Sequence, residues 1–402
     1  MATWWPTARS PSCERNEGVT LVSGLLTEAQ RAVRDAARRF ADGEVGPIAR
    51  RIDQEDRFPR KIYKAMAELG FYGLSLGEAF GGAGMDTLSV CLVMEELARN
   101  SASVGNAFAI PVEAALFLAH HGNAAQRALI APVLAGELIF ANAMTEPDHG
   151  SDAAGIRTRA HKVDGGWHLN GVKAWVTLGG VADRLLVFAR TGHGPGHNAM
   201  SCFLVDAHQD GVTRGKPEEL LGMHGLEDCQ IVLQDAFVPD DGVVGPVDGA
   251  FKLAMDNFNF SRLLMSSLAL GVAQAALEDA VAYARTRKQF NVPILTFQAV
   301  QFMIADTATE TDAARLLIHH ACRLHDAGLP YVRQAAQAKL FTTDMAQRAA
   351  TRSLQIHGGN GYSREYRVER LFRDARLTQI YEGTNEIQRL IIARQVEQEM
   401  AA

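Results

Sequence analysis

The stretch Gln379-Ile-Tyr-Glu-Gly-Thr-Asn-Glu-Ile-Gln388 puts one carboxylate, Glu382, in an apolar turn beside a glycine and just ahead of an amphipathic helix. That helix carries Ile387, Leu390 and Ile391 at the three- and four-residue spacing of a packed stripe, with Thr384 or Asn385 as its N-cap. A carboxylate held by a rigid apolar element is where a buried general base sits. The alternative is a glutamate in a turn that simply faces water. The rest of the chain decides between them.

Outward from that turn the texture changes twice. Ala-rich helical segments run from Thr27 to about Glu137 (Glu28 to Val45, Arg60 to Leu69, Thr87 to Asn100, Glu113 to His121), separated by Gly-rich turns such as Phe80-Gly-Gly-Ala-Gly84. Short strand-like runs follow between about Thr158 and Pro239: His168-Leu169, Lys173 to Thr177, Arg184 to Arg190, Ser201 to Val205 and Gln230 to Leu233. They are divided by turns such as Asp164-Gly-Gly166 and the loop Gly192 to Gly196. From Gly249 long helices return, Leu268 to Arg287 and Thr296 to Asp326 among them, interrupted at Asn291-Val-Pro293 and His357-Gly-Gly-Asn-Gly361. The fold expected is α+β and mainly α: a helical domain over 1–139, a β domain over 140–246 and a helical domain over 247–402.

At 402 residues, 47% of them hydrophobic, the chain has material for two or three subdomains. A net charge of -6 with mixed signs gives no basic footprint for nucleic acid. Five scattered cysteines (Cys13, Cys91, Cys202, Cys229, Cys322) form no C-x-x-C pair, so no disulfide framework or zinc site is indicated. No run of eighteen apolar residues and no targeting pattern before about Gly18 is present. A bacterial-type cytoplasmic protein is the expectation, with a mitochondrial matrix location second.

There is no G-x-G-x-x-G after a strand, no Walker A sequence and no G-x-S-x-G. The neighbours His120-His121 and His319-His320 point about 100° apart on a helix and do not converge on a metal; no metal is assigned. Three segments carry more chemistry. Ala143 to Asp152 crowds hydrogen-bonding groups into a loop between the helical and β lobes, where cofactor clefts form, although a well-capped connection would look similar. Leu169 to Thr177 ends a strand in Trp175 and a hydroxyl, an aromatic wall and a donor for a flat heterocycle, or an ordinary core tryptophan. Gln355 to Gly361 lets backbone approach a ligand, and Arg287 offers a guanidinium to a phosphate.

With these segments in this order, nearly the whole chain resembles the acyl-CoA dehydrogenase family of flavoproteins. The resemblance rests on Phe80-Gly-Gly-Ala-Gly84 with Glu95-Glu96, Thr145-Glu-Pro with Gly150-Ser-Asp152, Asn170-Gly with Trp175-Val-Thr177, and Phe237-Val-Pro239. It continues through Arg262, Arg287 with Phe290, Phe297-Gln298, the Gln355 to Gly361 loop, Arg373-Asp-Ala375 and Tyr381-Glu-Gly-Thr384. It implies a helical domain, a β domain and a C-terminal four-helix bundle, a homotetramer, and FAD near a subunit interface. Met144, Thr145, Gly150, Ser151, Trp175, Val176 and Thr177 would line the isoalloxazine, with Ser151 also near the acyl-CoA. Arg287, Phe290, Phe297 and Gln298, with Gln355, Gly358 and Gly359, would bind the pyrophosphate and adenosine side across a dimer interface. Thr384 and Glu386 would close over the flavin. Asn259, Ser261, Arg262 and Gly383 fall on the substrate side, Arg262 near the CoA arm.

Glu382 then matches the family base that removes the α-proton of the thioester while the β-hydrogen leaves as hydride to the flavin. Some members place the base just before the arginine equivalent to Arg262; here that residue is Ser261, and a hydroxyl cannot take the role. The resemblance implies electron transfer to an electron-transfer flavoprotein. The chain departs from the pattern at His149, Leu178, Asn259, His224, Leu226 and Asn142. These departures leave room for an unusual acyl group or a carrier-protein thioester. A flavin oxidase or monooxygenase of the same fold and a non-catalytic scaffold are the remaining alternatives.

Overall fold

The computed structural model describes residues 25–192 and 196–401. Cys13, the N-terminal stretch to Gly18 and the His193 to Pro195 part of the glycine-rich loop lie outside them. Helix α1 (Glu28–Phe40) opens on a capping box: Thr27 Oγ1 accepts the Gln30 N–H and the Gln30 side chain accepts the Thr27 N–H. A π-helical turn, Ala41–Val45, leads into α2 (Gly46–Glu55). The single helix expected over Glu28 to Val45 therefore continues, because Pro47 falls in the first turn of α2, where its missing N–H costs nothing.

After α3 (Arg60–Glu68) come α4 (Thr87–Asn100) and α5 (Ala102–His121). Helix α5 starts well before the expected Glu113 and runs through Pro111, whose ring reads as a break. Burial on almost every side holds the helix across it. The short helices α6 (Ala124–Arg127) and α7 (Ile130–Leu134) close the lobe.

The middle of the chain forms β1 (Phe140–Ala143), β2 (Arg159–Val163), β3 (Gly166–Val176), β4 (Arg184–Arg190), β5 (Met200–Asp206), β6 (Val212–Pro217), β7 (Cys229–Pro239) and β8 (Val243–Val244). They make one sheet in the order β6-β7-β3-β2-β4-β5-β8, with β1 parallel to β4. The two runs expected at His168-Leu169 and Lys173 to Thr177 are one strand. Between the two runs, at Asn170-Gly171, the strand shifts register against β7.

Helix α8 (Ala250–Thr286) is a single 37-residue rod, far longer than the expected Leu268 to Arg287. Its Leu263, Leu264, Leu268 and Val272 have no exposed surface, each contributing about 1.5–3 kcal/mol of burial. A hairpin of β9 (Lys288–Gln289) and β10 (Val292–Pro293) turns on Phe290 (φ 50°) and Asn291 (φ 67°). Then follow α9 (Gln298–Asp326), α10 (Val332–His357), α11 (Val368–Thr378) and α12 (Asn385–Ala401). Helix α8 packs against α4, α9 and α10, and α10 carries α12. Helices α5 and α8 are long and apolar enough to cross a membrane, but the most apolar stretch of each lies almost wholly inside the protein.

One expectation fails in part. The stripe Ile387, Leu390, Ile391 is only partly packed within the chain: Leu390 is 64% exposed, Ile387 and Ile391 are half-buried, and the buried residues of α12 are Asn385 and Gln388. Asn385 docks α12 onto Lys339, Thr343 and Asp344 of α10 while Gln388 bonds back to the turn, which leaves Leu390 facing outward.

Candidate active site

Glu382 sits in the turn between α11 and α12 with φ 54°, followed by Gly383 at φ 86°. Two successive left-handed residues fold the chain back sharply, and for a glutamate this costs about 1–3 kcal/mol unless the surroundings impose it. They do. Lys339 Nζ donates to Gly383 O and to Asn385 Oδ1, both at 2.9 Å. Gln388 Nε2 donates to Gly383 O at 2.8 Å and Glu382 O at 3.3 Å. The Asn385 N–H donates to Gln379 O at 3.0 Å, and its amide Nδ2 to Asp344 at 2.6 Å. Thr384 Oγ1 caps α12 by accepting the Ile387 N–H. Within this lattice the Glu382 N–H donates to no group among the described residues, and Glu382 Oε2 is buried without a partner.

The environment raises the Glu382 pKa, chiefly through burial; the Ser261 hydroxyl, Arg262 and Lys339 pull the other way. Burial presses Lys339 down to about 7. It also lowers Arg262, a buried guanidinium whose Nη1 donates to Asn259 Oδ1 at 2.5 Å. Arg262 Nη2 lies 3.9 Å from where a Gly383 Cβ would stand, so this arginine faces the Glu382 turn and not an open surface. Asn259, absent from the family pattern, is its hydrogen-bond acceptor.

A second carboxyl, Glu113 on α5, belongs to the same site. It is 4% exposed, and its pKa rises from burial and from the nearby Glu382. Asn142 Nδ2 approaches Glu113 Oε2 at 3.5 Å. Ser261 Oγ is buried close enough to both carboxyls to favour their ionised forms without forming a hydrogen bond of good geometry, and Tyr381 Oη is buried and unpartnered. Glu113 and Lys339 carry no motif. Their signal in the sequence is isolation: Glu113 is the one charge between Val104 and Ala119, and Lys339 the one charge between Gln334 and Thr343.

The loop expected to face a flavin is held by a buried ion pair. Lys173 Nζ bonds Glu146 Oε1 at 2.9 Å and Met144 O at 3.0 Å, while Glu146 also accepts the N–H groups of Arg157 and Thr158. The Ala174 N–H donates to Thr145 O at 2.9 Å, which brings Met144-Thr145 beside Trp175-Val176-Thr177. A register shift between Lys173 and Val176 puts Trp175 at φ 56° and swings its ring outward, 58% exposed. Thr177 stands by the buried Asp228, whose carboxyl burial raises to about 6. Gly150 and Ser151 are exposed, and no atom lies within 4 Å of a Gly150 Cβ. An outward-aimed indole, two hydroxyls and an open glycine approach fit a flat isoalloxazine. His149 turns into its own loop, 3.7 Å from Asp152, and Leu178 is core.

The remaining cofactor candidates gather at the far end of the bundle. Tyr283 stacks on His357 at 4.2 Å and accepts from Asn360 Nδ2 at 2.9 Å, joining the end of α8 to the Gln355 to Gly361 loop. Arg287 leaves α8 there, Phe290 is 89% exposed beside Phe297, Gln298 begins α9, and Gln355, Gly358 and Gly359 are exposed. Gly358 has φ 58°, ψ -135°, a glycine conformation, with open space where a Cβ would be. The spacing from Lys339 to His357 along α10 is about 27 Å at the helical rise. One chain thus separates this cluster from the Glu382 turn; Thr384 and the exposed Glu386 stay with the turn.

His224 ties the three parts of the chain together. Its Nδ1 lies 3.0 Å from Asp53 Oδ1 and 2.8 Å from Asp53 O, and its Nε2 lies 2.9 Å from Leu220 O. Arg373 of α11 bonds the same Asp53 carboxylate through two nitrogens at 2.8 Å.

The C-terminal, N-terminal and middle domain models of acyl-CoA dehydrogenase match residues 249–397, 27–137 and 141–236. An acyl-CoA dehydrogenase of Bacillus subtilis is 42% identical over 92% of this chain and 98% of its own. A 3-(aryl)acrylate reductase of Clostridium sporogenes is 38% identical over the same shares. Butyryl-CoA dehydrogenase of Megasphaera elsdenii superposes with a TM-score of 0.90 at 36% identity, covering 92% of this chain and 98% of that one. A chain whose three segments match the three domains in order, and which aligns along nearly the full length of these relatives, belongs to the acyl-CoA dehydrogenase family of FAD-dependent oxidoreductases.

Proposed function

We propose that the protein dehydrogenates an acyl-CoA thioester to the trans-2-enoyl-CoA, with Glu382 taking the α-proton. The observation that carries this reading is the Glu382 carboxyl itself: buried, unpartnered at Oε2, raised in pKa and fixed in a doubly left-handed turn. A desolvated carboxylate is a stronger base than one in water, and a turn fixed by hydrogen bonds holds it ready at little further entropic cost. Proton loss moves charge onto the thioester oxygen. The unengaged Glu382 N–H is a donor for it, and Arg262 and Lys339 supply positive charge nearby.

FAD would be held by Met144, Thr145, Trp175, Val176 and Thr177 on one side, and it supplies the acceptor for the β-hydrogen as hydride. Arg287, Phe290, Gln298, Gln355, Gly358 and Gly359 would serve the FAD of a neighbouring subunit. Their distance along α10 from Glu382 and the outward Leu390 of α12 both favour a homotetramer built from dimers. An electron-transfer flavoprotein as acceptor and a cytoplasmic setting complete the reading.

The test is solvent exchange. In D2O without an electron acceptor, the wild type should exchange the α-protons of a bound acyl-CoA, and Glu382→Gln should slow this by about 10²–10⁴. Undiminished exchange in the variant would move the base elsewhere.

A further inference from the structure

Among the described residues the buried Glu95, Glu96 and Glu146 are paired with cations, whereas the buried Glu113, Asp228 and Asp374 are not, and of these three Glu113 is the one that feels the charge of Glu382. Glu95 meets Arg315 at 2.8 Å, Glu96 meets Arg38 at 2.8 Å, and Glu146 meets Lys173 at 2.9 Å. Glu113 has no ion pair among the described residues; its one hydrogen-bond contact is the long Asn142 approach at 3.5 Å. It lies in the middle of an otherwise apolar helix, where a carboxyl with nothing to bind would be costly. Around it stand the Ser261 hydroxyl, with no exposed surface, near both carboxyls but in no hydrogen bond of good geometry, and the buried, unpartnered Tyr381 hydroxyl. Ser261 lies close to both Glu113 and Glu382, so these unmade hydrogen bonds are next to the reacting carbons implied for Glu382.

We propose that Glu113, Asn142, Ser261 and Tyr381 form a recognition site for a hydroxyl or amine carried on the acyl chain, so that the preferred substrate is a polar acyl-CoA rather than an alkyl one. The proposal rests on the reading of Glu382 as the base, which places the acyl group here. An O–H or N–H of the substrate donates to the Glu113 carboxyl, and a hydroxyl's lone pair also accepts from Ser261 or Tyr381, whereas an ammonium donates to the hydroxyl oxygens. Burial and Glu382 disfavour the Glu113 anion and the Ser261 hydroxyl offsets them only in part, so a donor on the substrate would add to what Ser261 supplies. An alkyl chain would bury these polar atoms with their hydrogen bonds unmade, and a site built to bond a substituent discriminates strongly against the analogue lacking it.

The experiment measures binding, so it separates this proposal from the assignment of the base. FAD-loaded Glu382→Gln enzyme is titrated calorimetrically with butanoyl-, pentanoyl- and hexanoyl-CoA and with their ω-hydroxy and ω-amino counterparts. Glu113→Leu in the same background is titrated in parallel. The expected result is that at least one hydroxy or amino compound binds about tenfold or more tightly than its alkyl parent, and that Glu113→Leu removes the preference. Whether the hydroxyl or the amine series leads identifies the substituent. Equal or tighter binding of every alkyl compound overturns the proposal, as does a preference that survives Glu113→Leu. The first comparison needs no Glu113 variant, so it decides even if Glu113→Leu does not fold. If Glu382→Gln still turns over, the base assignment fails while the binding preference is judged separately.

Discussion

Lys339 Nζ donates to Gly383 O at 2.9 Å, so a buried lysine of α10 grips the peptide immediately after Glu382. The same nitrogen holds Asn385 Oδ1, so one side chain ties the turn to the first residue of α12. Lys339→Met should therefore displace Glu382 while leaving the FAD loops of the middle of the chain untouched. Steady-state kinetics should show kcat falling by about 10²-fold with normal FAD content. Unchanged kcat would mean that the other hydrogen bonds suffice to hold the turn.

Gly383 tests the turn from the backbone side. At φ 86° a side chain is strained, and an added Cβ would stand 2.8 Å from Gln388 Nε2. Gly383→Ala should lower stability by about 1–2 kcal/mol, read from urea unfolding, with a larger loss in kcat than the stability change alone explains. A neutral substitution would show that the turn adapts.

The Glu146–Lys173 pair holds the loop from Met144 to Ser151. Removing one partner leaves a charge buried alone, so Lys173→Met should cost about 3–5 kcal/mol and weaken FAD retention on gel filtration. Adding Glu146→Leu should recover much of the stability but not the loop geometry, since Glu146 also receives the Arg157 and Thr158 N–H groups. A double variant no more stable than Lys173→Met would argue against charge burial as the cause.

The junction of His224, Asp53 and Arg373 sets a pH window. Asp53 raises the His224 pKa from 6.5 to about 9, and the two cations hold Asp53 well below the ordinary carboxylate range. A raised histidine contributes fully below its unfolded pKa of about 6.5 and loses that contribution as pH climbs through about 9. A depressed aspartate contributes above about 3.8 and loses its contribution as pH falls through its folded value. The wild-type Tm should therefore decline between about pH 7 and 9.5. His224→Gln should be less stable by about 2 kcal/mol near pH 6 and should lose less over the alkaline range. Parallel Tm curves for the two proteins would remove His224 from the account.

What the sequence discloses follows from the range of the forces involved. Local patterns disclose the α, β, α order, and the turn at Glu382 is legible because glycine, an N-cap and an apolar flank are neighbours in the chain. Helix α5 is misjudged because Pro111 argues locally for a break that tertiary burial overrides. The strand read over Leu169 to Thr177 extends back to Gly166, through a register shift at Asn170-Gly171 that no local pattern announces. Glu113 and Lys339 come to the site from α5 and α10, over two hundred residues apart, and no local spacing announces their meeting with Glu382. The stripe on α12 is periodic yet only partly packed, since periodicity tells which residues share a face and not what that face meets.

Anaerobic reduction of the enzyme-bound flavin by acyl-CoA tests Glu382 most directly. A panel of straight, branched, aromatic and dicarboxylic acyl-CoAs, supplemented with the ω-hydroxy and ω-amino compounds, identifies the fastest substrate for the wild type. With that substrate Glu382→Gln should retain bound FAD and bind the thioester yet bleach the flavin about 10²–10⁴ more slowly. Bleaching at the wild-type rate would contradict the assignment of Glu382 as the base.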